Sequence, residues 1–200
     1  MNTYLMPLEG KHMKEKLLLV GAGGLGRIVS EHAGKKYECF FLDDGVENGT
    51  EVCSVKVIGN IRDIERLRDE YSLLVVCIGN NALREKIYTQ ADELGYGFPN
   101  IIVDSAYISP YATVGNGCVI LNNVSVQNGA SVGNGVILNA GVEAHQDCRI
   151  GDYSLVYANS VIRSYARVGK RVKIESTVTV GNNVVIEDDR TVETSILRQP

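Results

Sequence analysis

Two stretches of the chain carry residues whose type and spacing can do chemistry. Gly21-Ala22-Gly23-Gly24-Leu25-Gly26 satisfies GxGxxG, and Asp43 follows twenty residues after Gly23. In such a turn, backbone amides approach a phosphate at a helix N-terminus and the acid accepts a ribose hydroxyl. Further on, Glu143-Ala144-His145-Gln146-Asp147 sets an imidazole two residues from a carboxylate on either side. Imidazole suits general-base work near neutral pH, and Glu143 or Asp147 can orient its ring. The histidines are His12, His32 and His145, and only His145 lies in the repetitive C-terminal half. The cysteines, Cys39, Cys53, Cys77, Cys118 and Cys148, are odd in number and contain no CxxC pair. That pattern argues against a disulfide framework and a zinc site, so no metal is expected.

The elements that must position these residues follow two different periods. An aliphatic side chain recurs every six residues from Ile102 through Ile120, Leu138, Ala144 and Ile150 to Val192, and the position four further on is small or apolar nearly throughout. This is the hexapeptide repeat of a parallel β-helix. Three hexapeptides close one coil, so residues 18 apart become neighbours on one face at roughly 4.8 Å. By that register His145 shares a column with Gln127 and Arg163, and Glu143 lies on the same face. Glycine and asparagine fall where turns need them, as at Gly115–Gly117, Gly133–Gly135 and Gly181–Asn183. Flat outer walls of such a fold usually meet other subunits.

Before the repeat, strands alternate with helices: LLLV, a helix through Ile28, Val29 and His32, ECFFLDD, VKVIG, a charged helix IRDIERLRDEYS, LLVVCIG, and a helix NALREKIYTQADELG. This is a small parallel sheet with helices on its faces. The expected division is a tail over 1–15, a Rossmann-like domain over 16–100 and a β-helix over 101–200, with no flexible linker between the two domains. About eighty-five α/β residues make one mononucleotide half of the dinucleotide fold. The glycine turn thus admits three readings: a phosphate site for one nucleotide, a tight packing turn, and nucleotide-dependent oxidoreduction. A net charge of −4 supplies no general field for nucleic acid or membrane, and the first sixteen residues lack the apolar core of a signal peptide. A reducing cytoplasm is the expected location.

VGAGGLG, then FLDD at Phe41–Asp44, then IGNNALREKI at Ile78–Ile87, followed by a hexapeptide β-helix, resembles the bacterial sugar acetyltransferases of the UDP-N-acetylbacillosamine N-acetyltransferase and sialic acid O-acetyltransferase group. The resemblance runs from Lys16 onward. It implies that the first domain holds a nucleotide-linked sugar, UDP- or CMP-type. Gly23 and Gly24 would lie near the phosphates, Asp43 and Asp44 near the ribose or base, and Gly79, Asn80, Asn81 and Arg84 in the loop that closes the pocket. It also implies a left-handed β-helix that assembles as a homotrimer and binds acetyl-CoA between neighbouring subunits, with Arg163 and Lys173 available to its phosphates. Arg167, Lys170 and Arg171 complete with Lys173 a basic cluster that could hold the same phosphates, although such a cluster is more often a solvated face.

Members of this group carry an asparagine, then an acid-His-acid-Cys run, then a second histidine. Here Asn139, Asp147 and Cys148 match in register, but Gln146 occupies the position of the base, with His145 one residue upstream. Leu155 stands in place of the second histidine, Leu25 in place of a histidine in the glycine turn, and Ile174-Glu175-Ser176-Thr177 in place of a glycine-alanine coil. The reading favoured is an acetyl-CoA-dependent transferase acting on an amino or hydroxyl group of a nucleotide-activated sugar in surface glycan biosynthesis. In it His145 is the base, and Glu143, Asp147 and Asn139 are its partners. The alternative is a β-helix trimer that binds a nucleotide sugar without acyl transfer.

Overall fold

The computed structural model describes residues 14–198, so all of the expected N-terminal tail except Lys14 and Glu15 lies outside the described residues. The chain first builds a five-stranded sheet from β1 (Lys16–Val20), β2 (Glu38–Leu42), β3 (Glu51–Val52), β4 (Val55–Gly59) and β5 (Leu73–Val76), in the order β3-β4-β2-β1-β5. β1 pairs in parallel with β2 and β5, and β2 with β4. The β1 run LLLV is wholly buried, as a central strand covered on both faces requires. Helices α1 (Gly24–Ala33), α2 (Ile64–Leu67) and α3 (Asn81–Glu93) cover the sheet.

Two features depart from the sequence expectation. β3 forms an antiparallel hairpin with β4 through Cys53 and Ser54, both at positive φ, a turn that Cys-Ser does not announce. The charged segment after Gly59 gives a 3-10 turn over Ile61–Asp63 and only one turn of α-helix, not one long helix. The Asp63 carboxylate reaches back to the Asn60 amide at 2.8 Å and tightens the start. At the other end the chain turns away so that Tyr71 packs edge-on against Phe40, with centroids 5.3 Å apart, before entering β5.

The remainder is a left-handed parallel β-helix of two-residue strands, from β6 (Ile101–Ile102) to β21 (Thr191–Val192), in three walls. The first wall stacks 101, 119, 137, 155, 173 and 191; the second 107, 125, 143, 161 and 179; the third 113, 131, 149, 167 and 185, each step being 18 residues. The six-residue ladder from Ile120 to Val192 fills the interior, together with Cys118, Val124, Val136, Val142, Cys148 and their equivalents. Ile102, at the open first coil, is 39% exposed. Every sixth residue from Gly117 to Asp189 has positive φ, so each corner is turned by one left-handed residue.

The α/β part sits on the first wall. Ile101, Val119, Ile137 and Leu155 project outward from that wall, yet all are buried against Leu17, Leu19, Val29 and Ala33. Further along the column the residues are Lys173 and Thr191, where the α/β part no longer covers the wall. Helix α3 runs beside the corner between the third and first walls. Tyr88 Oη donates to Gly117 O at 2.8 Å, Arg84 Nε to Gly135 O at 2.9 Å, Arg84 Nη2 to Tyr153 O, and Asn81 Nδ2 to Arg171 O at 2.8 Å. Those acceptors are 18 residues apart. A helical turn of about 5.4 Å nearly matches a coil of about 4.8 Å, which lets one helix face serve several coils.

Candidate functional site

The strand order reverses between β1 and β5, because the chain builds outward from β1 to β2 and β4 and then returns to the other side of β1. In open α/β sheets ligands bind outside the carboxyl ends of the strands at that switch. Here those ends are the Gly21–Gly26 turn after β1 and the Gly79–Asn81 loop after β5. The glycines divide their labour. Gly21 sits at φ +103, and a Cβ on Gly26 would lie 1.9 Å from Gly21 O, so these two permit the turn and the close approach of α1. Gly23 and Gly24 are exposed, and a Cβ on either would meet nothing within 4 Å. The first turn of α1 has no side-chain cap and no acidic residue, leaving its amides to an anion.

The acids beside the turn are already engaged. Asp43 accepts from Ala22 N at 2.7 Å and Gly45 N at 2.8 Å, and Asp44 from Ile61 N at 2.9 Å. Asp43 therefore braces the glycine turn itself. Asn80 caps α3 through Leu83 N at 3.0 Å. Asn81 and Arg84 join the two halves of the molecule. Arg84 is 0% exposed and gives its donors to Ile78 O, Asn81 Oδ1, Gly135 O, Tyr153 O and Ser154 O. Burial pulls its guanidinium down to about 10, still charged at neutral pH. Arg84, expected at the substrate, is thus spent entirely on protein carbonyls and one carboxamide.

Facing the Gly79–Asn81 loop, the first wall contributes Tyr157, Arg171 and Lys173 to a cleft of about 370 Å3. Lys173 Nζ lies 5.4 Å from the Tyr157 ring centroid and 2.6 Å from Glu175 Oε1. The Glu175 hydrogen bond holds this ammonium above the usual lysine range. Arg171 is held by Asp189 at 2.6 Å and Glu85 at 3.1 Å, and Lys170 by Asp152 at 3.2 Å. Tyr157 went unnoticed in the sequence, although the 18-residue register places it directly beyond Asn139.

His145 stands on the second wall, just after the Glu143–Ala144 strand. Its Nε2 is 2.9 Å from Glu143 Oε2, with the imidazole side chain 26% and the carboxylate side chain 51% exposed. Its backbone amide donates to Ile162 O, so the ladder fixes its place. The column neighbours are Gln127 below and exposed Arg163 above, as the register required. The other two expected partners are elsewhere. Asp147 occupies the turn at φ 57 with its carboxylate against Gly129, where a Cβ would lie 2.3 Å from Oδ1. Asn139 stands at the preceding corner, six residues along, with its Nδ2 3.4 Å from Val156 O. Gln146 Oε1 accepts from Ser164 Oγ at 3.0 Å, and Leu155 is buried, its Cδ2 3.8 Å from where a Cβ on Gly79 would lie.

The structure gathers Gly79, Asn80, Asn81 and Lys173 into one cleft and His145 with Glu143 and Arg163 into another region. Arg163 and Lys173, both expected at the cofactor, are on different walls. Among the described residues no group of three or more His, Cys, Asp or Glu side chains is placed to hold a metal ion.

An α/β part seated on one wall of a hexapeptide β-helix, with a histidine–carboxylate pair on the next wall, is the architecture of a hexapeptide acyltransferase with an added N-terminal α/β domain. Family profiles divide the chain the same way: the PglD N-terminal domain matches residues 16–91 and the GMPPB C-terminal domain residues 102–199. The acetyltransferase domain of PglB from Neisseria gonorrhoeae is 30% identical over 92% of this chain and 93% of that one, with a TM-score of 0.72. A second structure of that domain, in complex with acetyl coenzyme A, is 31% identical over the same shares with a TM-score of 0.65. PerB from Caulobacter crescentus, in complex with CoA and GDP-perosamine, is 26% identical over 89% of this chain and 91% of that one, with a TM-score of 0.65. The chain belongs to the hexapeptide-repeat sugar acetyltransferase family.

Proposed function

We propose that the protein transfers an acetyl group from acetyl-CoA to an amino or hydroxyl group of a nucleotide-activated sugar, as a step in surface glycan synthesis in the cytoplasm. The observation that carries this reading is the 2.9 Å His145–Glu143 pair, fixed in the β-helix ladder of a chain that aligns over 92% of its length with a PglB acetyltransferase domain. In this reading residues 16–100 hold the nucleotide sugar at the open amides of Gly23 and Gly24, and residues 101–200 hold acetyl-CoA. His145 takes the proton as the sugar nitrogen or oxygen attacks the thioester carbonyl. Glu143 keeps the ring turned toward the acceptor and stabilises the imidazolium. Collapse of the tetrahedral intermediate releases the CoA thiolate, and the imidazolium can return its proton to that sulfur.

The crevice lies against the first wall and His145 on the second, which supports a site shared between copies in a homotrimer. Release of free thiol from acetyl-CoA in the presence of UDP-, GDP- and CMP-linked amino sugars tests the reaction. Acceptor-dependent thiol release that is lost in His145→Ala is the expected result; no release above hydrolysis with any acceptor overturns it. Gln146 at the position of the family's base, and Leu155 buried where a second histidine would stand, favour a second reading in which the trimer binds a nucleotide sugar without transferring acetyl. That reading expects nucleotide sugars to raise Tm while acetyl-CoA does not.

A further inference from the structure

Arg149 and Arg167 face each other across a parallel ladder on the third wall. Adjacent strands are about 4.8 Å apart, and like charges directly opposite on one face of a sheet destabilise it. The ladder neighbours beyond them are Ser131 and Val185, so no carboxylate interrupts the pair. Around the corner, Arg163 occupies the same coil as Arg167 and stands directly above His145, while Arg149 shares the coil of His145. All three arginines are exposed, and among the described residues none of their guanidinia makes an ion pair or a hydrogen bond.

Three cations further along the β-helix, Lys170, Arg171 and Lys173, each have a carboxylate within 3.2 Å. The sequence groups Arg167 with these three, but the coil separates it from them and leaves it beside another arginine. A local rule broken without compensation in the fold marks a place where an external group supplies the missing charge.

We propose that Arg149, Arg163 and Arg167 form the phosphate-binding surface of the acyl-transfer site, holding the phosphates of a bound nucleotide beside His145. This rests on the function proposed above. Guanidinium forks match phosphate oxygens bidentately, and two forks one strand apart span neighbouring phosphates of a diphosphate. CoA and a UDP- or GDP-linked sugar both carry such a group, and direct binding separates them.

Calorimetric titration of the full chain with CoA, with UDP and with GDP is compared for wild type, Arg149→Gln/Arg167→Gln, Arg163→Gln and, as a control on strand β4 of the α/β part, Lys56→Gln. The double variant should weaken at least one of these ligands about tenfold or more, as loss of charge-assisted phosphate contacts requires. Arg149→Lys/Arg167→Lys should recover only part of that loss, and Lys56→Gln should bind as wild type. Weakening confined to CoA assigns the surface to the acyl donor, and weakening confined to UDP or GDP assigns it to the sugar nucleotide. The Tm of the double variant should equal or exceed that of wild type, since the repulsion is gone. CoA, UDP and GDP all bound as tightly by the double variant as by wild type would overturn the proposal. A wild type that binds these ligands but turns nothing over would instead sink the enzymatic reading.

Discussion

At the scale of single residues, the chain separates groups that can react from groups that only hold. His145 is partly exposed and has one side-chain partner, Glu143, so its removal should leave the fold intact and take away the base. His145→Ala is expected to lower kcat by about 10^2 to 10^4-fold, measured as acceptor-dependent thiol release, with Tm unchanged. Arg84 is the opposite case. It is fully buried and makes five hydrogen bonds, three of which cross from the α/β part to the β-helix. Arg84→Met keeps much of the volume but strands several buried carbonyls, at a cost of about 3–5 kcal/mol. For a chain of this length that lowers Tm by roughly 10 °C. The cysteines can be sorted in the same manner. Burial raises the thiols of Cys39 and Cys118 to about 11 and that of Cys148 to about 12, and pushes Cys77 up furthest, whereas Cys53 is exposed. A thiol-disulfide reagent at neutral pH should therefore label one thiol per native chain rapidly and all five only after unfolding; rapid labelling of a second would contradict this burial.

At the scale of elements, the coil corners show what the sequence could and could not disclose. The six-residue ladder and the 18-residue register were legible because they are written in side-chain volume, and they placed His145 between Gln127 and Arg163 correctly. The left-handed corner residues were legible where they are Gly, Asn or Asp, but Tyr153, Tyr165, Arg171 and Thr177 take the same positive φ with side chains that disfavour it. A β-branched residue there costs about 1–2 kcal/mol, so Thr177→Asn should raise Tm by a few degrees, and a fall in Tm would show that the corner is not strained. The docking of α3 was not legible at all. Its acceptors at Gly117, Gly135, Tyr153 and Arg171 are backbone carbonyls, which every residue type offers, so the residue types there give no sign that a helix docks. The same blindness led to Arg84 being read as a pocket residue, since a family motif does not say whether a polar side chain faces ligand or backbone; Asn81 lines the cleft and also donates to the Arg171 carbonyl. The β3 hairpin and the shortened α2 were missed for a local reason: Cys-Ser carries no turn signal, and the charged periodicity of residues 61–72 does not reveal that Tyr71 is needed against Phe40.

At the scale of the whole molecule, one chain does not bring its two chemical halves together. The open glycine turn is built onto the first wall, while His145, Glu143 and Arg163 belong to the second, around a corner of a rigid prism whose core is closely filled. On the function and homotrimer proposed above, a complete site takes its nucleotide crevice from one copy and its base from another, with the wall that carries His145 facing the neighbour. This arrangement makes a definite prediction for mixed assemblies. His145→Ala retains the crevice and loses the base. Gly23→Glu retains the base and puts a carboxylate where the phosphate would sit, at an ordinary φ of −71 and with open space around the new side chain. Each variant alone should be inactive. Co-expressed with different tags and purified through both, the mixture should regain up to about a third of wild-type activity per site, because each mixed trimer has one interface of its three that joins an intact crevice to an intact histidine. Light scattering should show assemblies of three 21.8 kDa chains for wild type and for the mixture alike. If trimers form and the mixture remains inactive, the crevice and the histidine serve the same chain, and the α/β part must then reach around its own corner.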